Sequence, residues 1–306
     1  MNEQWRDQAE RGSRSLKRLI IWLALHCGRP LCRVLLVPIC SYFLLTAPLA
    51  RRSSLAFLSR ALDRHATWRD TFMHLFVFAT TLLDRVYLIN GRQRELTVEV
   101  SNEDVFWQAM TQGRGCLLLG AHLGSFEVIR AVSKLHPDLH VAMVMHEANA
   151  QKINDMLTAI NPAATQDIIG LGNLDSMLTV RERLDQGYVV GMLADRTPGD
   201  NALFPVSLLG SPAQLPIGPF RMAALLRRPV LFMTGLYMGG NRYHIHFDTL
   251  ADFSHIAHGQ RTIATEAAIT RYAALLEQYC RVAPYNWFNF FDFWQSTPPQ
   301  PNHDKS

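Results

Sequence analysis

From Leu19 to Ala50 apolar residues run with few interruptions, at His26, Arg29, Arg33 and Pro38. The cleanest stretch, Val34 to Ala50, is 17 residues long, at the short end of the ~17–25 residues with which a helix spans a bilayer. Residues 55–90 switch to a helical period. Phe57, Leu58, Leu62, Phe72, Leu75, Phe76, Phe78, Leu82 and Leu83 form broad apolar faces, and Asn90-Gly91 is a stop signal. Beyond about residue 95 the pattern changes again, to short β runs alternating with helical stretches. Strands are predicted at Cys116–Leu119, Leu139–Met145, Gln166–Ile169, Tyr188–Leu193, Val230–Tyr237 and Tyr243–Phe247. Helices are predicted near Phe126–Leu135, Ala150–Ile160, Leu174–Gln186, Ile217–Leu226 and Thr262–Arg281. That alternation predicts an α/β sandwich around a mostly parallel sheet.

Composition sets the domain plan. A chain of 306 residues, 48% hydrophobic and 18% charged, suits one sizeable globular domain with an appendage. The expected division is a basic, hydrophobic membrane-associating segment at 1–60, a main domain at 61–295 and a disordered polar tail at 296–306. The formal charge of +4 is uneven: residues 1–60 hold ten Lys/Arg against three Asp/Glu, whereas the rest is net acidic. Arg14, Lys17 and Arg18 precede the apolar run, and Arg51, Arg52 and Arg60 follow it. Basic flanks stay on the cytoplasmic side, so two of them predict a helix or shallow hairpin entering from that face. The first apolar run lacks the small-residue site of a cleaved signal peptide. Basic residues confined to the N-terminus argue against nucleic-acid binding. Five cysteines, an odd number with no CxxC, argue against a disulfide scaffold and against zinc.

The stretch His122-Leu-Gly-Ser-Phe-Glu127 carries candidate chemistry, because an imidazole that takes a proton needs a partner to fix its tautomer. A carboxylate serves that role in catalytic triads. On one regular helix positions i and i+5 lie about 140° apart, so the two side chains meet only if the structure changes between them. A strand ending near Ala121, a turn at Gly124 and a helix cap at Ser125 would supply that change.

Leu118-Gly-Ala-His-Leu-Gly-Ser-Phe-Glu127 resembles the signature of the lysophospholipid acyltransferase superfamily, and most closely that of the late acyltransferases of lipid A biosynthesis and their relatives. The likeness continues through Leu193-Ala-Asp-Arg-Thr-Pro198, Phe204-Pro-Val-Ser-Leu-Leu-Gly210, Leu215-Pro-Ile-Gly-Pro219, Arg228-Pro-Val230 and Pro284-Tyr-Asn-Trp287, in the family's order. It departs at Ala121 and Leu123-Gly124, where many late lipid A acyltransferases carry an Asn before the His and Glu-Gly after it. The resemblance implies a glycerolipid-acyltransferase-like α/β sandwich with no cofactor and no metal. It implies an enzyme at the cytoplasmic face of a bacterial inner membrane, moving a fatty acyl chain from acyl-carrier protein or acyl-coenzyme A to a hydroxyl or amine of a lipid or glycolipid. His122 is then the general base oriented by Glu127. Asp195 and Arg196 contact substrate, and backbone amides near Gly124 and Ser125 receive the thioester oxygen. Charge alone suggests that Arg221, Arg227 and Arg228 receive an acidic carrier. A non-catalytic lipid-binding scaffold and a thioesterase are the alternatives.

Three other patterns read more plainly. Gly170-Leu-Gly-Asn-Leu-Asp175 lacks the third glycine of a dinucleotide fingerprint and reads as a capping turn. Tyr285 to Trp294 packs seven aromatics into ten residues and reads as a core-sealing segment with interfacial character. His244, His246, His255 and His258 straddle a strand and a loop without supporting cysteines, a poor metal pattern.

Overall fold

The computed structural model describes residues 22, 24–111, 113–133, 136, 138–147, 149–151, 157, 160–161, 167–172, 174–196 and 202–294. The expected helix Ala150–Ile160 falls largely outside the described residues, and the polar N-terminus and the tail at 296–306 fall wholly outside them.

From Arg29 onward three helices come first: α1 (Arg29–Thr46), α2 (Pro48–Ala61) and α3 (Trp68–Ile89). The helical stretch predicted over 55–90 is therefore two helices. The break has a local cause: Asp63 adopts a positive φ of 51°, and Thr67 and Asp70 form a reciprocal capping box that starts α3 afresh. After them come β1 (Thr97–Ser101), α4 (Glu103–Met110), β2 (Cys116–Gly120), α5 (Phe126–Ser133), β3 (Val141–His146), β4 (Asp167–Leu171), α6 (Leu174–Asp185) and β5 (Val189–Leu193). A hairpin of β6 (Leu203–Leu208) and β7 (Ser211–Pro216), then α7 (Gly218–Leu226), β8 (Pro229–Tyr237), β9 (Arg242–Asp252) and α8 (Arg261–Val282) complete the chain.

Seven strands form one sheet in the order β1-β9-β8-β2-β5-β3-β4, and every pairing except β8 with β9 is parallel. Every residue of β2 and of β8 is buried, as expected for strands covered on both faces. One core packs α2, α7 and α8 on one side of the sheet, around Phe57, Phe220, Phe232, Tyr272 and Trp287. A second core, around Val77, Phe106, Val128 and Tyr243, fills the other side. The mixed α/β architecture is the one the sequence predicts. The edge strand β1 and the β6–β7 hairpin are additions, segments of five or six residues whose alternation is too brief to stand out.

The apolar N-terminal run is folded back on the domain. Arg29 makes a two-pronged contact with Asp84 of α3, at 2.6 and 2.8 Å, and Tyr243 donates to the same carboxylate at 2.7 Å. Arg33 donates to the Gly240 carbonyl and lies over the rings of Phe76 and Tyr237. The basic residues that interrupt the apolar run are thus the pegs that dock α1. Its other face stays bare: Leu31, Val34, Leu35, Tyr42 and Leu45 are exposed, Leu45 by 65%. The helix is long and apolar enough to cross a membrane.

Candidate active site

Register places the site. Gly120 at the end of β2 lies opposite Leu193 at the end of the adjacent parallel strand β5. Two residues further along each chain come His122 and Asp195. Loops at the carboxyl ends of parallel strands are where such sheets gather ligand-handling groups. The two side chains meet here, with His122 Nδ1 2.8 Å from Asp195 Oδ1 and the His122 backbone amide 3.2 Å from the same oxygen.

That pairing differs from the one expected from spacing. Glu127 sits on the first turn of α5 and is 2% exposed. It accepts from Arg130 at 2.8 Å and faces Arg85 of α3 at 3.8 Å. Among the described residues it makes no hydrogen bond with His122. The physical reason lies in the linker. Residues 121–125 are clamped: the Gly124 amide donates to the Asn286 carbonyl at 2.9 Å, and the Ser125 amide to the Gly235 carbonyl at 2.8 Å. The Phe288 amide in turn donates to the His122 carbonyl at 2.8 Å. The imidazole is therefore turned to the neighbouring strand's loop, and the acid of α5 is left to the arginines. Gly124 has φ +77°, and a Cβ there would collide with the Gly235 carbonyl.

The same contacts occupy the amides that spacing suggested for the thioester oxygen. Those of Gly124 and Ser125 already have carbonyl partners and are not free to bind an oxyanion. Nor does the Ser125 hydroxyl cap α5 through a hydrogen bond among the described residues. The positive groups near the imidazole are Arg196, which is half of the expected substrate pair, and Arg85.

Asp195 is 1% exposed and fully engaged. Besides His122 it accepts from Trp287 Nε1 at 3.0 Å and from Arg196 Nη2 at 3.1 Å. Burial alone would raise its pKa, but the charges of His122 and Arg196 and the hydrogen bonds of His122 and Trp287 outweigh it and hold the carboxyl well below the usual carboxylate range. An ionised carboxylate only accepts, so Nδ1 of His122 carries the proton and Nε2 keeps its lone pair. Burial and the charges of Arg196 and Arg85 lower the imidazole's pKa against the opposing pull of Asp195. The ring is still 39% exposed. A neutral, oriented and accessible imidazole is the equipment of a general base.

A hydrogen-bond chain reaches the pair from the N-terminal helices. Ser54 of α2 bonds His74 Nδ1 at 2.8 Å, and His74 Nε2 donates to the Trp287 carbonyl at 2.8 Å. Trp287 then holds Asp195 through its indole. His74 is fully buried, and burial lowers its pKa to about 4. Phe290 stacks on His74 at 4.4 Å between ring centres, and Arg196 lies over the Phe291 ring at 4.8 Å while donating to the Phe288 carbonyl at 3.3 Å. The aromatic segment thus seals the core and also supports Asp195 and Arg196. Sequence reasoning assigned it only the first task, and it missed Arg85 and His74 within apolar helical faces.

Elsewhere, His244 bonds Ser101 at 2.7 Å and its ring lies tilted against that of His246, 3.9 Å between centres. Among the described residues no group of three or more His, Cys, Asp or Glu is placed to hold a metal ion. Arg227 and Arg228 precede β8 and lie at the opposite end of the sheet from His122.

A doubly covered, mostly parallel sheet with the His122 loop at its carboxyl edge defines the α/β class of fold. The profile of bacterial lipid A biosynthesis acyltransferases matches residues 67–296, three quarters of the chain. The chain belongs to that family, and it is an acyltransferase. No curated protein shows a significant match to it.

Proposed function

We propose that the protein transfers a fatty acyl chain from an acyl thioester, carried by acyl-carrier protein or coenzyme A, to a hydroxyl or amine of a lipid or glycolipid. The observation that carries this reading is the His122–Asp195 contact in a chain of the lipid A biosynthesis acyltransferase family. Nε2 of His122 takes the proton of the acceptor group as its oxygen or nitrogen attacks the thioester carbonyl. The bond to sulfur then breaks, and the thiolate leaves with the proton returned by the imidazolium. Asp195 holds the imidazole's tautomer and balances its transient charge, the orienting role of a triad acid. Arg196 and Arg85 place positive charge near the carbonyl oxygen as it becomes anionic. Glu127 offsets the charge of Arg85 and Arg130 and keeps Arg85 beside the site. General base catalysis of this kind contributes about 10²–10⁴-fold.

The exposed apolar face of α1 supports a location at a membrane surface, with the acceptor lipid delivered from the bilayer. The basic flanks of this segment favour the cytoplasmic side of that membrane, by the rule that basic flanks stay inside. The test is acyl-thioester turnover by purified protein with added lipid acceptor. His122→Ala should lose at least a hundredfold in rate while keeping the thermal unfolding of the wild type. Comparable turnover in a folded His122→Ala protein removes the reading.

A further inference from the structure

Five arginines gather at the amino ends of the central strands, the pole of the sheet away from His122. Arg114 precedes β2, Arg181 lies in α6 before β5, and Arg227 and Arg228 link α7 to β8. Arg261 is the first residue of α8. Together with Asp185, Leu225 and Leu226 they line a cleft of about 490 Å³. Because β2, β5 and β8 run parallel, this cleft and the His122 loop are separated by the length of a five-residue strand, about 17 Å.

The arginines are under-compensated. Among the described residues Asp185 is the only acid in the lining; it pairs with Arg228, and with Arg181 at 3.6 Å. Arg114, Arg227 and Arg261 have no acidic partner among the described residues. Arg228 is 3% exposed, yet among the described residues its Nε donor is buried without an acceptor, and so is Nε of Arg261. Leaving a charged donor unsatisfied is costly, and burial together with the charges of Arg114 and Arg181 lowers the Arg228 pKa. The 22-residue helix α8 begins here with no side-chain cap and no acidic residue in its first turn. Its N-terminal amides and a basic first residue both favour an anion. Arg227, at φ +53°, adopts a left-handed conformation that is strained for a side chain of its size.

We infer that this cleft is a second ligand site, which takes a phosphate-bearing anion of two or more negative charges at the pole opposite the His122 loop. Guanidinium forks bind phosphate oxygens in pairs, and four net positive charges outweigh what one monoanion neutralises. The cleft offers no aromatic ring to stack on a nucleobase, so charge and shape govern what binds. The anion belongs either to a soluble diphosphate or to the head group of an acidic lipid.

The experiment is isothermal titration of the detergent-solubilised full-length protein with inorganic pyrophosphate. Co-sedimentation with phosphatidylcholine vesicles, with and without phosphatidic acid, runs beside it. Arg114→Glu alters an exposed arginine outside the acyl-transfer machinery, so its basal turnover should equal that of the wild type; Arg261→Gln is tested separately. One-site pyrophosphate binding, weakened at least tenfold in both variants, supports the soluble form. No pyrophosphate binding, with a phosphatidic-acid-dependent gain in sedimentation that both variants lose, supports the lipid form. Wild type and variants alike in both assays overturn the inference.

Discussion

Asp195 accepts from four groups, the His122 amide, His122 Nδ1, Trp287 Nε1 and Arg196, whereas Glu127 serves two arginines. Their replacements should therefore fail differently. Asp195→Asn keeps the shape but removes the charge that fixes the tautomer and balances the imidazolium. It should lower kcat about 10²–10⁴-fold. Glu127→Gln should chiefly cost stability, about 3–5 kcal/mol, because it breaks the buried ion pair with Arg130. Measuring kcat and urea unfolding for both variants checks this. Equal loss of kcat with unchanged stability would show that Glu127 acts in the chemistry. The depressed pKa of His122 also fixes a direction. The imidazole stays neutral below the ordinary histidine value of about 6.5, so the acid limb of the kcat/KM profile should fall below that pH. A limb above it contradicts the electrostatic account.

At the scale of elements, α2, α3 and the aromatic segment after α8 form the support behind the pair. Trp287→Phe retains the packing against Phe57 but deletes the indole donor to Asp195. A hydrogen bond to a charged group contributes about 1.5–3 kcal/mol, so kcat should fall roughly 10- to 100-fold with KM little changed. His74 supplies a separate, pH-dependent term. Its folded pKa of about 4 lies below its unfolded value near 6.5. Above 6.5 it is neutral in both states and contributes nothing pH-dependent. As pH falls towards 4 the unfolded chain takes up the proton first, and stability drops by up to about 3 kcal/mol. Denaturant unfolding from pH 7 to 4 should show this loss in the wild type and not in His74→Gln. Parallel curves would contradict it.

The same scale shows how legible the structure was. Buried parallel strands such as Cys116–Gly120 announce themselves as unbroken apolar runs, so the alternation and sheet type follow from sequence. His122 was legible as a candidate, but not the carboxylate it contacts. His122 and Asp195 are 73 positions apart, and only the register of β2 with β5 brings them together. Spacing favours near neighbours, and it pointed to Glu127 because it could not reveal the clamp on residues 121–125. The amide donors failed for the same reason, since Asn286 and Gly235 come from distant segments.

For the molecule as a whole, the proposed function has the bare face of α1 and the His122 loop serve one lipid substrate. Leu31→Asp/Leu35→Asp/Leu45→Asp places three charges on that face without touching Arg29 or Arg33. Co-sedimentation with vesicles should fall sharply while turnover of a soluble acyl thioester with a detergent-dispersed acceptor persists. Unchanged sedimentation would show that α1 does not carry the membrane contact. The central claim, that His122 and Asp195 place an acyl chain on a lipid, is met most directly by mass spectrometry of lipid extracts. The cells compared express wild type, His122→Ala or Asp195→Asn at equal levels. The account predicts a lipid heavier by one acyl group with the wild type, absent with His122→Ala and strongly reduced with Asp195→Asn. The same acylated lipid in all three extracts would contradict it.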